Sequence, residues 1–228
     1  MPAPKRQFIA NQIFVGLPWK NVRPRYEQII SRLTLKYPLY FTIVGRNDSQ
    51  DAEDLFSIIK ERVAASSFAI FDATSGNANV SLEYGFAEGI EVPRAIYLST
   101  HKATKASSGS PIISDLGGKR RIQYKTEASL SAQLHAFCRD HAYTLRFEKF
   151  LAKALRGLNK GQKKSARTLS LKVIHALDGL YELRRDDLLQ GLQAKGYGRE
   201  EIEDMIKKLH TAGLIVSAVG RYSTVRVA

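Results

Sequence analysis

Two carboxylates, Asp72 and Glu83, are the side chains of this sequence best placed to do chemistry. An apolar run over residues 68–71 ends at Asp72, a polar segment with Asn77 and Asn79 follows, and Glu83 comes early in a helical pattern. A strand, a polar turn and a helix in this order build ligand sites at the carboxyl ends of open α/β sheets. Paired carboxylates can stabilise or attack an oxocarbenium-like sugar carbon, as in glycoside cleavage.

Two further loops are expected to meet these carboxylates. Gly16 lies at the end of the first predicted strand and Trp19 in the loop after it, and Arg46 and Asp48 follow the second strand. Amides and an arginine can hold hydroxyl or phosphate groups, and an indole can stack on a base, so this set of groups favours a nucleoside or nucleotide ligand.

Structural alternatives stay open for each of these residues. The asparagines and Asp72 can cap a turn or helix, Glu83 can be an acid that suits the helix dipole, Trp19 can pack in the core, and Arg46 with Asp48 can form a solvated turn.

The first half of the chain alternates strand and helix patterns, which predicts parallel strands joined by helical crossovers. We expect a flavodoxin-like, doubly wound, five-stranded parallel sheet. Its strands are predicted over residues 12–17, 40–44, 68–71, 95–98 and 121–124, with helices over residues 23–37, 51–65 and 79–90. Residues 99–119 are rich in Ser, Lys, Thr and Gly and are interpreted as a long surface loop.

A different order of elements is predicted after residue 126. A helix over residues 127–156 leads to a Gly/Lys-rich linker over residues 157–164. Three helices and two strands then follow, which is the order of a winged helix-turn-helix; they cover residues 168–180, 185–195, 199–211, 214–219 and 222–227. The predicted divisions are therefore an α/β domain over residues 1–126, a connecting helix and linker over residues 127–164, and a winged helix over residues 165–228.

Positive charge is concentrated towards the C-terminus. The net charge is +13, and residues 146–228 hold 17 Lys/Arg against 9 Asp/Glu. A basic surface favours polyanions, so we predict a nucleic-acid or nucleoprotein partner, although the charge can also serve solubility alone. The predicted contacts are Lys163, Lys164, Lys207, Lys208, Arg221 and Arg226.

The predicted recognition helix is acidic over its first half, which disfavours conventional operator reading. Glu200, Glu201, Glu203 and Asp204 all precede its first lysine. Contact through the wing, non-specific binding and protein docking remain the alternatives.

Composition excludes several classes of protein. The single cysteine, Cys138, cannot form an intramolecular disulfide and fits a reducing compartment. No apolar run approaches the ~20 residues of a membrane span, so we expect a cytoplasmic protein without membrane contact.

The sequence also gives no sign of a metal or a cofactor. The histidines lack metal-ligand spacing, and neither a GxGxxG nor a Walker motif occurs, so no metal or cofactor is expected. A homo-oligomer remains open.

The run Asn79-Val80-Ser81-Leu82-Glu83-Tyr84-Gly85, with Asp72 upstream, resembles the nucleoside 2-deoxyribosyltransferase superfamily. It equally resembles nucleotide-binding TIR-like proteins of bacterial defence. The resemblance spans roughly residues 12–135 and implies cleavage or transfer at an N-glycosidic bond of a nucleotide or NAD. It implies that Glu83 is the nucleophile and that Asp72 positions the base or ribose. Phe14 stands where deoxyribosyltransferases often have a tyrosine, which favours hydrolysis or binding over transfer.

The layout of the whole chain is similar to that of retron-associated defence effectors. That resemblance implies an anti-phage N-glycosidase controlled through its winged helix. The alternative is a regulator without enzymatic activity, in which the α/β domain senses a nucleotide and the winged helix binds DNA.

Overall fold

The structure is a computed structural model that describes residues 7–18, 22–45, 52–100, 121–177, 182–218, 221–224 and 226–227. Strands and helices alternate over its first part. They are β1 (Phe8–Gly16), α1 (Arg23–Thr34), β2 (Tyr40–Thr42), α2 (Ala52–Ala65), β3 (Ser66–Asp72), α3 (Ala78–Gly89), β4 (Arg94–Ser99) and β5 (Arg121–Tyr124). Most of the surface loop predicted over residues 99–119 lies outside the described residues.

The five strands form a parallel sheet in the order β2-β1-β3-β4-β5. This is the flavodoxin-like order, in which β1 and β3 flank the point where the chain reverses direction across the sheet. The prediction of a five-stranded parallel α/β sheet is confirmed.

Alternation along the strands divides the core between the two faces of the sheet. On β3, Ile70 packs in the cluster that holds Tyr26 of α1, whereas Phe71 packs in the cluster that holds Tyr84 of α3. Helices α1 and α4 therefore cover one face, and α2 and α3 cover the other.

The predicted connecting helix is two helices, α4 (Glu127–Asp140) and α5 (Ala142–Ala154). His141 between them has an extended backbone, and its Nδ1 accepts a hydrogen bond from the Tyr143 N–H at 3.3 Å. The histidine therefore caps α5, and this cap divides the segment that periodicity alone presents as continuous.

The predicted linker is also partly wrong, because α6 (Lys160–Ala176) begins inside it. Asn159 and Gln162 form a reciprocal capping box, with N···O distances of 2.9 and 3.0 Å between the side chain of each and the backbone N–H of the other. This cap fixes the helix start eight residues before the predicted one at residue 168.

Two further helices and four short strands complete the described chain, and three of these strands form a small antiparallel sheet of order β6-β8-β7. The elements are β6 (Leu183–Arg184), α7 (Arg185–Gln193), α8 (Arg199–Thr211), β7 (Ile215–Ala218), β8 (Arg221–Thr224) and β9 (Arg226–Val227). Among the described residues, no helix combines the length and the apolarity needed to cross a membrane.

The last predicted strand, over residues 222–227, is wrong as a single element. β8 ends at Thr224, and β9 pairs antiparallel with Phe8 and Ile9 of β1. β2 pairs with β1 only at residues 12–14, so the start of β1 keeps an open edge that β9 occupies.

Candidate active site

A cavity of about 320 Å³ lies beyond the carboxyl ends of β1 and β2, between helices α2 and α3. Its volume is within the range of small-molecule sites in proteins, about 300–1,000 Å³. Most of its wall is apolar, and its polar groups come from the start of α3 and from α1. The lining residues are Phe14, Val15, Gly16, Leu17, Arg23, Ile43, Val44, Leu55, Phe56, Ile59, Asn77, Asn79, Leu82 and Glu83.

Glu83 is the only carboxylate among these lining residues. Its Oε2 is buried and has no hydrogen-bond partner among the described residues. Burial raises the pKa of Glu83 to about 7, so the carboxylic acid and the carboxylate are both present at neutral pH. A carboxyl group with a shifted pKa and no protein partner that lines a cavity is a candidate for acting on a ligand.

Gly16 leaves the space that the Glu83 carboxylate occupies. A Cβ atom at this position would lie 2.5 Å from Glu83 Oε2 and 2.7 Å from Cδ1 of Phe71. The last residue of β1 must therefore be small for Glu83 to lie against the backbone at the end of the strand.

Asn77 fixes the start of the helix that carries Glu83. Its Oδ1 accepts hydrogen bonds from the backbone N–H groups of Asn79 and Val80 at 2.9 and 3.2 Å. Asn77 is thus the N-cap of α3 and also lines the cavity, where the exposed Asn79 joins it.

Asp72 does not line this cavity. It is fully buried on the opposite face of the sheet, where the hydroxyls of Tyr26 and Tyr124 donate to its Oδ2 at 3.0 and 2.7 Å. The Thr74 N–H donates to its Oδ1 at 2.9 Å. Burial raises the pKa of Asp72, although these hydrogen bonds oppose that shift. The two predicted catalytic carboxylates are therefore not brought together.

Period-two alternation explains this separation. Asp72 follows Phe71 by one residue, and successive side chains on a strand point to opposite faces, so Asp72 joins Ile70 on the face away from α3. The same alternation places Phe14 beside Phe71, with ring centroids 5.8 Å apart, on the face that holds Glu83.

Several cavity residues were missed by the sequence reasoning. Leu55, Phe56 and Ile59 lie on α2, where their apolar spacing indicated only core packing. Arg23 lies at the start of α1 and lines the cavity while its Nε contacts Glu27 Oε1 at 2.6 Å. The position of Arg23 just after a loop at a strand end was the sequence signal that could have identified it.

Trp19, Arg46 and Asp48, all predicted to bind substrate, lie outside the described residues.

The predicted nucleic-acid contacts lie on four different elements. Lys163 and Lys164 are exposed near the start of α6, and Lys207 and Lys208 are exposed on α8. Lys208 Nζ pairs with Asp204 at 2.6 Å.

Arg221 and Arg226 lie on two different strands. Arg221 lies on β8, 3.9 Å from Glu182, whereas Arg226 belongs to β9, whose backbone pairs with β1 of the large sheet.

Among the described residues, no group of three or more His, Cys, Asp or Glu side chains is arranged to hold a metal ion.

Comparison with solved structures finds a deoxyribosyltransferase and an N-glycosidase, both at low similarity. A 2-deoxyribosyltransferase from Leishmania mexicana is 13% identical with a TM-score of 0.44, over 57% of this chain and 99% of the other. The Clostridium botulinum CMP N-glycosidase BcmB is 12% identical with a TM-score of 0.37, over 55% of this chain and 98% of the other. At these levels, what those proteins act on does not transfer to this chain. No protein-family model and no curated protein matches it.

Proposed function

We propose that this protein cleaves the N-glycosidic bond of a nucleotide or of NAD, with Glu83 as the catalytic carboxylate. The observation that carries the proposal is Glu83 itself, which lines a cavity of ligand size and whose buried Oε2 lacks a protein partner among the described residues. The apolar wall suits the flat faces of a base. The amides of Asn77 and Asn79 can bind sugar hydroxyls.

The chemistry needs a carboxylate at the sugar carbon. The bond between C1′ and the base nitrogen breaks, and its electron pair leaves with the base. The Glu83 carboxylate bonds to C1′ or stabilises its positive charge, and water then adds to C1′ and releases Glu83. The proton lost by the water goes to the departing base or to solvent. A pKa of about 7 keeps a large share of Glu83 ionised for this step at neutral pH.

Asp72 acts in this proposal as a positioning residue. Its Oδ1 accepts from the backbone N–H of Thr74, which opens the 3-10 turn over Thr74–Gly76 that leads to the Asn77 cap of α3. The Thr74 hydroxyl in turn accepts from the Ser99 N–H at 2.9 Å. Asp72 therefore acts on Glu83 only through the loop between β3 and α3.

Release of free base tests the proposal directly. The protein is incubated with NAD and with each common nucleoside monophosphate, and the products are separated by chromatography. We expect release from at least one substrate and a loss of about 100-fold or more in Glu83→Gln.

The matched control is Glu88→Gln, because Glu88 lies on the same helix, pairs with Arg94 at 2.7 Å and is outside the cavity lining. This variant should keep the wild-type rate. Absence of base release from every substrate, or equal rates in wild type and Glu83→Gln, would refute the activity.

A sensor without turnover is the second candidate, and the position of Asp72 favours it. With Asp72 on the other face of the sheet, the described cavity has one carboxylate instead of the expected pair. This candidate predicts that a nucleotide binds, with a measurable calorimetric signal, while no base is released.

The finer parts of the hypothesis concern the C-terminal elements. α6, α7 and α8 followed by the antiparallel strands β7 and β8 have the order of a winged helix, and we propose that these elements form one.

Three further parts of the hypothesis stay predictions: the role as a defence effector, the TIR-like relationship and the formation of a homo-oligomer. A toxic effect of expression in bacteria that Glu83→Gln abolishes would support the first of these.

A further inference from the structure

The segment from Lys149 to Leu177 contains no acidic residue. It carries eight basic side chains: Lys149, Lys153, Arg156, Lys160, Lys163, Lys164, Arg167 and Lys172. No other stretch of the chain combines this length with one sign of charge. Six of the eight, from Lys149 to Lys164, flank the turn between α5 and α6 and define what we call the α5–α6 surface.

All six side chains of the α5–α6 surface are exposed. None of them forms an ion pair with another residue of the described part of the chain. Neighbouring positive charges without countercharges repel one another, so a polyanion that lies across them gains favourable electrostatic energy.

Two contacts hold the helices on either side of the turn together. Arg167 of α6 donates from Nη2 and Nη1 to the two carboxylate oxygens of Glu148 on α5, at 2.6 and 2.9 Å. The same guanidinium lies 5.7 Å from the ring centre of Phe147. At the turn, Gly157 adopts a φ of 83°, which favours glycine.

Helix α8 offers a weaker positive surface. Arg185 and Arg199 both pair with Glu203, at 3.0 and 3.2 Å, and Lys208 pairs with Asp204 at 2.6 Å. The positive charges near this helix are thus largely neutralised by acids that would repel phosphates.

We infer that duplex nucleic acid binds through its phosphate backbone to the α5–α6 surface, and not through α8. Lys149 and Lys153 lie one turn apart on α5, and Lys160 and Lys164 lie one turn apart on α6. One turn advances about 5.4 Å, a spacing at which several cations can contact separate phosphates. Backbone contacts of this kind carry no sequence information, so we expect similar affinity for unrelated sequences.

A duplex suits this surface better than a single strand. Single-strand sites use exposed aromatic side chains on which bases stack. Phe150, the one aromatic residue from Lys149 to Lys164, is half-buried.

A membrane surface is also disfavoured. Basic helices on membranes insert large apolar side chains from the same region. Of the large exposed apolar residues of the described chain, Leu35, Leu82 and Val216 lie on other elements. Only Leu145, one turn before Lys149 on α5, lies near this surface, and a single leucine is too little apolar surface for such an insertion.

Fluorescence anisotropy with a labelled 20-base-pair DNA duplex of arbitrary sequence tests the inference. We expect the wild-type affinity to fall steeply between 50 and 200 mM salt, with a logarithmic slope of about −3 to −5. The variant with Lys153→Gln, Lys163→Gln and Lys164→Gln should bind about 30-fold more weakly or worse at 100 mM salt. Its slope should be smaller in magnitude by about 2 to 3.

A variant of equal charge loss separates the surface from the net charge. The substitutions Lys207→Gln, Lys208→Gln and Arg221→Gln also remove three positive charges, but from α8 and β8, and should weaken binding less than about threefold. Equal losses in the two triple variants, or a larger loss in the second, would overturn the inference.

The remaining outcomes also decide the inference. Absence of duplex binding by the wild type would overturn it, as would tighter binding to a single strand or to phosphatidylserine vesicles at equal salt. Circular dichroism and base release should be the same in both triple variants and the wild type, so this test stands apart from the proposed activity.

Discussion

At the scale of single residues, the ionised form of Glu83 costs folding free energy. Its carboxyl group titrates near 7 in the folded protein, because burial opposes the charge, and near 4.5 when unfolded. The folded state therefore holds the proton more tightly, and the stability associated with Glu83 is complete below pH 4.5 and is lost as the pH rises through 7. Such a cost is characteristic of groups kept for function.

The variant Glu83→Gln should for this reason be more stable than the wild type at alkaline pH. The gain in free energy of unfolding should approach about 3 kcal/mol at pH 8.5, from about 1.4 kcal/mol per pKa unit, and shrink towards zero at pH 4.5. Urea denaturation of both proteins across this range measures it. An equal difference at both pH values would contradict an elevated pKa for Glu83.

Gly16→Ala should disturb the position of Glu83. The new methyl group would meet Glu83 Oε2 and the ring of Phe71 at distances that side chains do not tolerate. We expect a loss of about 1–3 kcal/mol of stability and a larger relative loss of base release.

The control for Gly16→Ala is Gly89→Ala, since a Cβ atom on Gly89 of α3 would meet nothing within 4 Å. This control should keep its activity. Unchanged stability and activity in Gly16→Ala would show that Glu83 does not need this space.

At the scale of elements, the carboxylate of Asp72 links a helix, a strand and a loop through hydrogen bonds. One carboxylate accepts hydrogen bonds from α1 through Tyr26, from β5 through Tyr124 and from the loop before α3 through Thr74. Removal of the acceptor leaves buried donors without partners, and each costs about 1–3 kcal/mol.

Asp72→Ala should therefore lower the free energy of unfolding by at least about 3 kcal/mol, as measured by urea denaturation. Asp72→Asn retains a carbonyl acceptor and should lose less. If the alanine variant fails to fold, the asparagine variant still decides the point, since a catalytic role predicts lost base release with little loss of stability. A positioning role predicts that stability and base release fall together.

The junction of α4 and α5 should be acid-sensitive. Burial lowers the pKa of His141 from 6.5 to about 4, so the unfolded chain binds its proton more readily. Nδ1 accepts from the Tyr143 N–H, so Nε2 carries the proton and donates to Ser67 Oγ at 3.3 Å. Stability from this group is complete above pH 6.5 and is lost as the pH falls towards 4.

His141→Asn keeps a cap acceptor but does not titrate. Its stability relative to the wild type should rise on going from pH 7 to pH 4.5, by up to about 3 kcal/mol. Glu83 contributes with the opposite sign over an overlapping range, so the comparison must be between the two proteins at each pH. A constant difference would contradict a neutral buried His141.

Sequence patterns predicted most elements because their signals are local. β5 and α8 have the predicted bounds, since turn residues and charge mark both ends. The start of α6 was missed although Asn159-Lys160-Gly161-Gln162 is a capping-box pattern, because its glycine and lysines suggested a linker. The pairing of β9 with β1 depends on an open sheet edge 217 residues away, which no local pattern shows.

The residues of the candidate site likewise divide into those that local sequence patterns predict and those that they do not. Glu83, Gly16, Asn77 and Asn79 could be named because they lie at or after predicted strand ends. The apolar wall from α2 could not, because a residue that lines a cavity and one that fills a core have the same helical spacing. The place of Asp72 was predictable in principle from strand alternation.

At the scale of the whole molecule, one buried core crosses the predicted domain boundaries. One cluster of buried side chains includes Phe147 of α5, Leu169 of α6 and Ile206 of α8 together with the residues under α1. The Tyr143 hydroxyl donates to the Leu214 carbonyl at 2.7 Å, and β9 completes the edge of β1. Parts that share a core are expected to unfold together.

We therefore expect a single cooperative unfolding transition, with the same midpoint by circular dichroism and by hydrogen exchange in β1 and in α8. A chain that ends at residue 164 would expose the side chains that pack against α6 and α8 and should not fold stably. Tyr143→Phe, which removes only the hydroxyl bond to Leu214, should lower stability by about 1 kcal/mol and leave the transition single. Two separated transitions, or a stably folded fragment of residues 1–164, would instead establish independent domains, and the C-terminal elements could then move relative to the cavity.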